Sequence, residues 1–138
     1  MAEVVRDIMT KGVITVNYNL AALDAAKLMT DNGISSLIVE KEGNHVGIIT
    51  ERDFVSKICT KELDISKISV EEIMSDIKTF ATPDTTIEVA VQRMINHKIR
   101  RLPIKERDKI IGIITVTDLA KHLRTILLIN STVSKGKD

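Results

Sequence analysis

Gly112-Ile113-Ile114-Thr115-Val116-Thr117-Asp118 has a near copy earlier in the chain, Gly47-Ile48-Ile49-Thr50-Glu51-Arg52-Asp53. In both stretches an apolar run ends at a threonine, and an aspartate follows three residues later. A threonine suits the N-cap of a helix, and a carboxylate three positions on suits the positive end of that helix. The pattern therefore predicts, twice, a buried strand that turns directly into a helix.

The similarity extends well beyond these two stretches. An offset of 65 residues aligns the two halves without a gap over roughly fifty positions. Matched pairs include Met9 with Met74 and Met29 with Met94. An ungapped match of this length indicates a duplication, so we divide the chain into two repeats, residues 1–64 and 65–138. Because each repeat has an apolar face to bury, we expect the two to pack together about a pseudo-twofold axis.

Apolar periodicity predicts a βαββα order in each repeat, which places the chain in the α/β class, more specifically α+β. The predicted strands are residues 13–16, 36–40, 46–50, 79–81, 102–105 and 110–115. The predicted helices are residues 3–10, 20–32, 51–58, 70–74, 86–96 and 116–130. Gly33 is predicted to cap a helix C-terminus, and Pro103 indicates either an edge strand or the end of a strand. Residues 60–69 are expected to connect the repeats, and residues 131–138 to fray.

Composition excludes several classes of function. The formal net charge is +1 and aromatic residues make up 2% of the chain. Proteins that bind nucleic acid or an anionic membrane usually carry a basic excess, and base stacking needs aromatic platforms. We therefore expect no nucleic-acid partner and no membrane partner. The apolar runs are too short to span a bilayer, and Cys59 is the only cysteine, so we expect a cytoplasmic protein.

Catalytic signatures are also missing from the sequence. We find no nucleophile–base constellation, no pair of catalytic carboxylates and no glycine-rich phosphate loop before a helix. No histidine or cysteine cluster has the spacing of metal ligands. We therefore expect a protein that is not an enzyme and that requires no cofactor or metal.

Taken together, the chain resembles a tandem pair of CBS domains over residues 4–125. The resemblance rests on the start Ile8-Met9-Thr10, on the strand Arg100-Arg101-Leu102-Pro103-Ile104, and on the doubled Gly-x-x-Thr-x-x-Asp pattern. None of these motifs is specific alone, but their order, spacing and duplication are.

The resemblance implies two clefts between the repeats that bind adenosine-containing ligands, such as AMP, ADP, ATP or S-adenosylmethionine. In this family the aspartate of the pattern binds the ribose hydroxyls, and the threonine or serine contacts ribose or phosphate. One cleft would then use Thr115, Thr117, Asp118, Arg100 and Arg101, with Lys11, Val13, Ile34 and Ser35 opposite. The other would use Thr50, Arg52, Asp53 and Ser36, with Asp76, Ile77, Ile99 and Arg100 opposite.

The same residues also have a purely structural interpretation. A carboxylate can accept bonds from both hydroxyls of a ribose, and a helix N-terminus attracts phosphate. However, Thr-x-x-Asp is equally the sequence of a capping box, and Arg100 and Arg101 are equally typical of a solvated surface. The repeat alignment matches Ser35 and Ser36 with Arg100 and Arg101, and the resemblance implies Lys11 at the Asp118 cleft and Asp76 at the Asp53 cleft, so we expect the clefts to be unequal. We therefore expect phosphorylated ligands to prefer the Asp118 cleft, and the Asp53 cleft to stay empty or to take a less anionic adenosine compound.

The sequence thus favours a regulatory module that senses an adenine nucleotide and acts on a regulated protein that the sequence does not name. Two alternatives remain open: an accessory or structural subunit of an enzyme or transporter without a ligand, and a sensor of S-adenosylmethionine or NADH. The apolar residues Leu123, Ile126, Leu127 and Ile129 exceed the needs of a small core. They predict a homodimer formed through the helices that follow the two signatures.

Overall fold

The computed structural model describes residues 3–136, with side chains described up to residue 131. The chain forms two compact units. The Asp53 unit comprises Val13–Lys78, and the Asp118 unit comprises Met1–Gly12 and Thr79–Asp138. The strands are β1 (Thr10–Lys11), β2 (Thr15–Asn17), β3 (Ser36–Lys41), β4 (Asn44–Thr50), β5 (Arg101–Glu106) and β6 (Lys109–Thr115). The α-helices are α1 (Ala22–Asn32), α2 (Glu51–Phe54), α3 (Val70–Ile73), α4 (Ile87–His97) and α5 (Val116–Gly136).

The Asp53 unit is built on a sheet of order β2-β3-β4, in which β2 is parallel to β3 and β3 is antiparallel to β4. Helix α1 buries Ala22, Ala25 and Met29, whose spacing of three and four residues places them on one face. The helix ends at Gly33 in a left-handed conformation, with a φ of 61°, which confirms the predicted C-cap. The core of the unit consists of Val16, Ala22, Ala25, Met29, Leu37, Val39, Ile49, Ile58, Val70 and Ile73.

The Asp118 unit is built on a sheet of order β1-β6-β5 with antiparallel pairing throughout. Strand β5 lies at the edge of this sheet, where Pro103 is tolerated, as predicted. Helix α4 buries Ala90 and Met94. The core consists of Val5, Ala81, Ala90, Met94, Leu102, Ile104 and Ile114.

Several predicted elements differ from the structure. The predicted helix at residues 3–10 is a single 3-10 turn, Val5–Asp7, followed by β1, because Thr10 and Lys11 pair with β6 instead. The predicted strand at residues 79–81 is one isolated bridge from Ala81 to Ile104. The helix predicted at residues 51–58 changes after Phe54 into a π-helix, Val55–Cys59. Helix α5 continues to Gly136, beyond the predicted frayed start at 131, whereas residues 137–138 lie outside the described part.

The compact units also differ from the sequence repeats in where they place the leading segment of each repeat. This segment is residues 3–12 in the first repeat and the matched residues 68–77 in the second. Val5, from the start of the first repeat, is fully buried in the core of the Asp118 unit. Its match Val70, from the start of the second repeat, is fully buried in the core of the Asp53 unit. Each leading segment therefore completes the core around the sheet of the other repeat.

Two glycines permit this arrangement. A Cβ on Gly112 would lie 2.8 Å from Met9 Sδ and 3.0 Å from the carbonyl oxygen of Thr10. A Cβ on the matched Gly47 would lie 2.7 Å from Met74 Sδ and 3.0 Å from the carbonyl oxygen of Ser75. A Cβ does not lie this close to a sulfur or an oxygen atom unless one of the two atoms shifts. A glycine in the strand is therefore required for the leading segment to reach it.

We expect Gly112→Ala to lower the free energy of unfolding by about 1–3 kcal/mol, because the added methyl group overpacks a contact with backbone that cannot rotate away. Urea titration followed by circular dichroism measures this loss. Gly47→Ala is the matched test in the Asp53 unit and should cost a similar amount. An unchanged unfolding midpoint in both variants would show that the leading segments are not held in close contact with β4 and β6.

Candidate ligand site

Both signature aspartates cap the helices that they begin. The backbone N–H of Thr115 donates to Asp118 Oδ2 at 2.9 Å, and the N–H of Asp118 donates to Thr115 Oγ1 at 3.1 Å. The N–H of Thr50 likewise donates to Asp53 Oδ2 at 2.8 Å. The capping interpretation is therefore confirmed for both residues. Each cap uses the Oδ2 atom, so the second carboxylate oxygen, Oδ1, distinguishes the two sites.

In the Asp53 unit, Oδ1 is fully engaged. Ser75 Oγ donates to it at 2.7 Å, and Lys57 Nζ lies 3.0 Å from it as an ion pair. Thr50 Oγ1 adds a long bond of 3.4 Å to Oδ2. Asp53 is only 4% exposed, so its charge is buried within the described part of the protein. A carboxylate offers about four acceptor positions, and those of Asp53 are used within its own unit.

In the Asp118 unit, Oδ1 is much less engaged. Thr10 Oγ1 donates to it at 3.3 Å, and the same hydroxyl lies 3.4 Å from Oδ2. Hydroxyl–carboxylate hydrogen bonds are normally about 2.5–2.7 Å long, so this contact is weak. Asp118 is half-buried. Among the described residues, ion pairs join Arg6 to Asp84, Lys41 to Glu71, Lys57 to Asp53 and His122 to Glu3, and none of these four pairs includes Asp118. Its carboxylate can therefore accept a further donor.

The residue that differs at the two sites is the one four positions after each aspartate. Lys57 in the first repeat matches His122 in the second. His122 Nε2 is directed to Glu3 Oε2 rather than to Asp118. The position that matches Glu3 is Ile68, which has no carboxylate to offer Lys57.

Other predicted residues of the Asp118 unit lie around the end of its sheet. Arg101 is the register partner of Thr115, and Lys11 is the register partner of Gly112 on the opposite side of β6. The carbonyl oxygen of Arg100 accepts the N–H of Val116 at 3.1 Å, which fixes the start of α5. Arg100, Lys11 and Thr117 are exposed, whereas Arg101 and Ile99 are half-buried.

The remaining predicted residues belong to the Asp53 unit. Ser36 is the register partner of Thr50, and Asp76 follows the Ser75 that bonds to Asp53. Arg52 and Asp76 are exposed. Half-buried side chains are those of Val13, Ile34, Ser35, Ser36, Thr50 and Ile77. The predicted clefts combine residues of both units, since Val13, Ile34 and Ser35 were assigned to Asp118, and Ile99 and Arg100 to Asp53. Those combinations stay predictions.

Sequence reasoning missed three residues that contact the aspartates: Lys57, Ser75 and Thr10. A signal existed for each. Lys57 stands four residues after Asp53, the spacing of an ion pair on one face of a helix. Thr10 and Ser75 occupy matched positions in the two repeats, and both carry a hydroxyl.

Two other classes of site were searched for in the described part of the chain. No three histidine, cysteine, aspartate or glutamate side chains there are grouped so that they could hold a metal ion. Among the described helices, none has both the length and the apolar character needed to cross a bilayer.

Comparison with known proteins gives a consistent result. The family profile described as the CBS domain matches residues 5–60 and 70–125. The CBS domain-containing protein YhcV of Bacillus subtilis is 34% identical over 116 residues, which cover 84% of this chain and 82% of the relative.

Solved structures agree with this sequence match. An uncharacterized conserved protein from Pyrococcus horikoshii aligns with a TM-score of 0.84 at 30% identity, over 90% of this chain and 94% of that one. The CBS domain pair of protein MJ0100, solved with 5'-methylthioadenosine and S-adenosyl-L-methionine, aligns with a TM-score of 0.80 at 27% identity, over 91% and 98% of the two chains.

The two aspartates should differ in their contribution to stability. Asp53→Ala leaves the ammonium group of Lys57, which is 34% exposed, without its carboxylate, and we expect a loss of roughly 2–4 kcal/mol. Asp118→Ala removes a cap and should cost about 1 kcal/mol. Urea unfolding of both variants measures the difference, and equal losses would contradict the contrast between the two sites.

Proposed function

Because this chain belongs to the CBS domain family, as a tandem pair of CBS domains, we propose that it is a regulatory module that senses an adenosine-containing ligand, with Asp118 as the ribose-binding residue. AMP, ADP and ATP are the proposed ligands. The observation that carries the proposal is the weak bonding of Oδ1 of Asp118, a half-buried residue at the start of a long helix. CBS pairs are generally regulatory rather than catalytic, and we propose the same for this chain.

The chemistry of the Asp118 site suits a nucleotide. A ribose diol presents two adjacent hydroxyls, and an ionised carboxylate accepts such donors in short, charge-assisted bonds. The hydroxyls of Thr10 and Thr115 lie against the same carboxylate and supply further polar contacts. A phosphate group is favoured near the N-terminus of α5, because the positive end of the helix dipole attracts anions.

Cations in the same unit favour a phosphorylated ligand over a neutral one. Arg101 and Lys11 lie in β5 and β1, on either side of the strand that ends at Thr115, and Arg100 precedes β5. An arginine can hold phosphate through two parallel bonds, and a lysine acts as a point charge. S-adenosylmethionine shares the adenosine group but carries a sulfonium cation, which this set of residues would disfavour. The complex of the MJ0100 pair makes that compound the proper comparison ligand.

We expect AMP to raise the melting temperature. At one hundred times its dissociation constant a ligand adds about 2.7 kcal/mol to stability, which corresponds to roughly 7–11 °C for a chain of this size. Asp118→Ala should abolish most of this shift. Glu106→Ala, which removes an exposed carboxylate of the same unit, should leave it intact. A shift that survives in Asp118→Ala would reject Asp118 as the ribose-binding residue, and S-adenosylmethionine in a parallel scan tests the class of ligand.

We also propose that the chain forms a homodimer through α5. Leu123 and Leu127 are 56% and 59% exposed, and with Val116 and Ala120 they lie on one face at spacings of three and four residues. Val55, on the helical segment after the first signature, is also exposed. An apolar stripe of this kind on a helix usually marks an interface.

Light scattering at micromolar concentration should give the mass of a dimer. Leu123→Glu combined with Leu127→Glu places two carboxylates in the stripe and should give a monomer with unchanged circular dichroism. Asn19→Glu, at an exposed position far from α5 in the sequence, adds a carboxylate outside the stripe as a control and should remain dimeric. A wild-type chain that stays monomeric, or forms a larger assembly, would contradict the proposal.

A further inference from the structure

We propose that Lys57 acts as a built-in competitor that keeps the ligand out of the Asp53 site, so that the residue four positions after each signature aspartate determines which repeat binds. The inference rests on the proposed function and adds a specificity-determining residue to it. It concerns only contacts within the Asp53 unit and their counterparts within the Asp118 unit.

The ammonium group of Lys57 is surrounded by oxygen atoms. Besides Asp53 Oδ1 at 3.0 Å, Nζ lies 2.9 Å from the carbonyl oxygen of Ile73, 3.2 Å from that of Met74 and 3.1 Å from Ser75 Oγ. An ammonium group has three hydrogens to donate, so all of them have acceptors here. The carbonyls at the end of α3 are ones that no helical N–H can reach, and Lys57 satisfies them. The side chain is therefore held in place from several sides.

The carboxylate of Asp53 has correspondingly little left to offer. Thr50 occupies Oδ2, and Ser75 with Lys57 occupies Oδ1. A ribose diol would have to displace a cation from a buried carboxylate and replace it with neutral hydroxyls. Removing Lys57 from Asp53 would leave a buried carboxylate without its counter-ion, which is strongly unfavourable, so the exchange is disfavoured.

The Asp118 site lacks this competitor for two reasons that are visible in the repeat alignment. His122 replaces Lys57, and its shorter side chain is engaged by Glu3. The first repeat has Ile68 at the position of Glu3, so nothing draws Lys57 away from Asp53. The hydroxyl is retained at both sites, as Thr10 and Ser75, so the difference lies in the cation and its alternative partner.

The main test converts the Asp118 site into the pattern of the Asp53 site with the double variant Glu3→Ile and His122→Lys. Calorimetric titration with AMP should show affinity reduced about tenfold or more, because the new lysine reaches Asp118 without a competing carboxylate. The control is His122→Met, which keeps Glu3 and adds no cation, and it should bind AMP as the wild type does. Wild-type affinity in the double variant would overturn the inference.

The reverse test is Lys57→Met, which keeps most of the aliphatic side chain but removes the charge. With adenosine as the probe, the wild type should bind one equivalent per chain, and the folded variant should bind a second. One equivalent in both would overturn the inference. If the variant does not fold, because Asp53 is left without its counter-ion, the double variant Glu3→Ile and His122→Lys decides alone.

The two proposals fail in different ways. A wild-type chain that binds neither AMP nor adenosine overturns both the proposed function and the role of Lys57. Binding that is lost in Asp118→Ala but unaffected by the double variant overturns the role of Lys57 and leaves the proposed function standing.

Discussion

The close contact between a leading segment and a strand glycine underlies both the fold and the candidate site. At Gly47 and Gly112 the absence of a side chain allows a methionine sulfur and a backbone carbonyl oxygen to lie only 2.7–3.0 Å from the position that a Cβ would take. In the Asp53 unit the contact is fixed by two reciprocal hydrogen bonds of 2.9 Å between Ile48 and Ser75. The same approach brings the hydroxyl of Ser75 to Asp53. Thr10 reaches Asp118 in the corresponding way, so one constraint completes the core and furnishes the site.

The two repeats share this arrangement but differ in the groups that surround the signature aspartate. In the Asp53 unit a buried carboxylate is neutralised by a lysine and contributes to stability only as part of that pair. In the Asp118 unit the carboxylate lacks a described counter-ion and retains the ability to accept a donor. Binding sites commonly keep polar groups less satisfied than stability alone would favour. Duplication followed by two exchanges, lysine against histidine and isoleucine against glutamate, would account for the proposed division between structure and binding.

Patterns in neighbouring residues were sufficient to predict those elements that depend only on short-range interactions along the chain. The strand-to-helix turns, α1 with its Gly33 cap, and the edge position of Pro103 all follow from periodicity and backbone chemistry, and the structure confirms them. The prediction of a strand at residues 79–81 was wrong, because strand pairing depends on a partner that is distant in sequence, and of these residues only Ala81 has one. The π-helix after Phe54 also left no sequence signal that we used.

The candidate site was less predictable than the fold, for a physical reason. Asp53 and Lys57 have the spacing of a common surface ion pair, and only the tertiary placement of Ile73, Met74 and Ser75 buries them. The sequence argument for unequal sites relied on cations near Asp118 and stays a prediction. The proposed competition of Lys57 for Asp53 would be a separate cause. That cause is invisible until the leading segment is placed.

A crystal structure of the chain grown with AMP tests the central claim most directly. We predict ribose hydroxyls within hydrogen-bond distance of Asp118 Oδ1, with Lys57 Nζ still on Asp53 Oδ1. Ribose bound at Asp53 with Lys57 displaced, while Asp118 keeps only its threonine partners, would contradict the account.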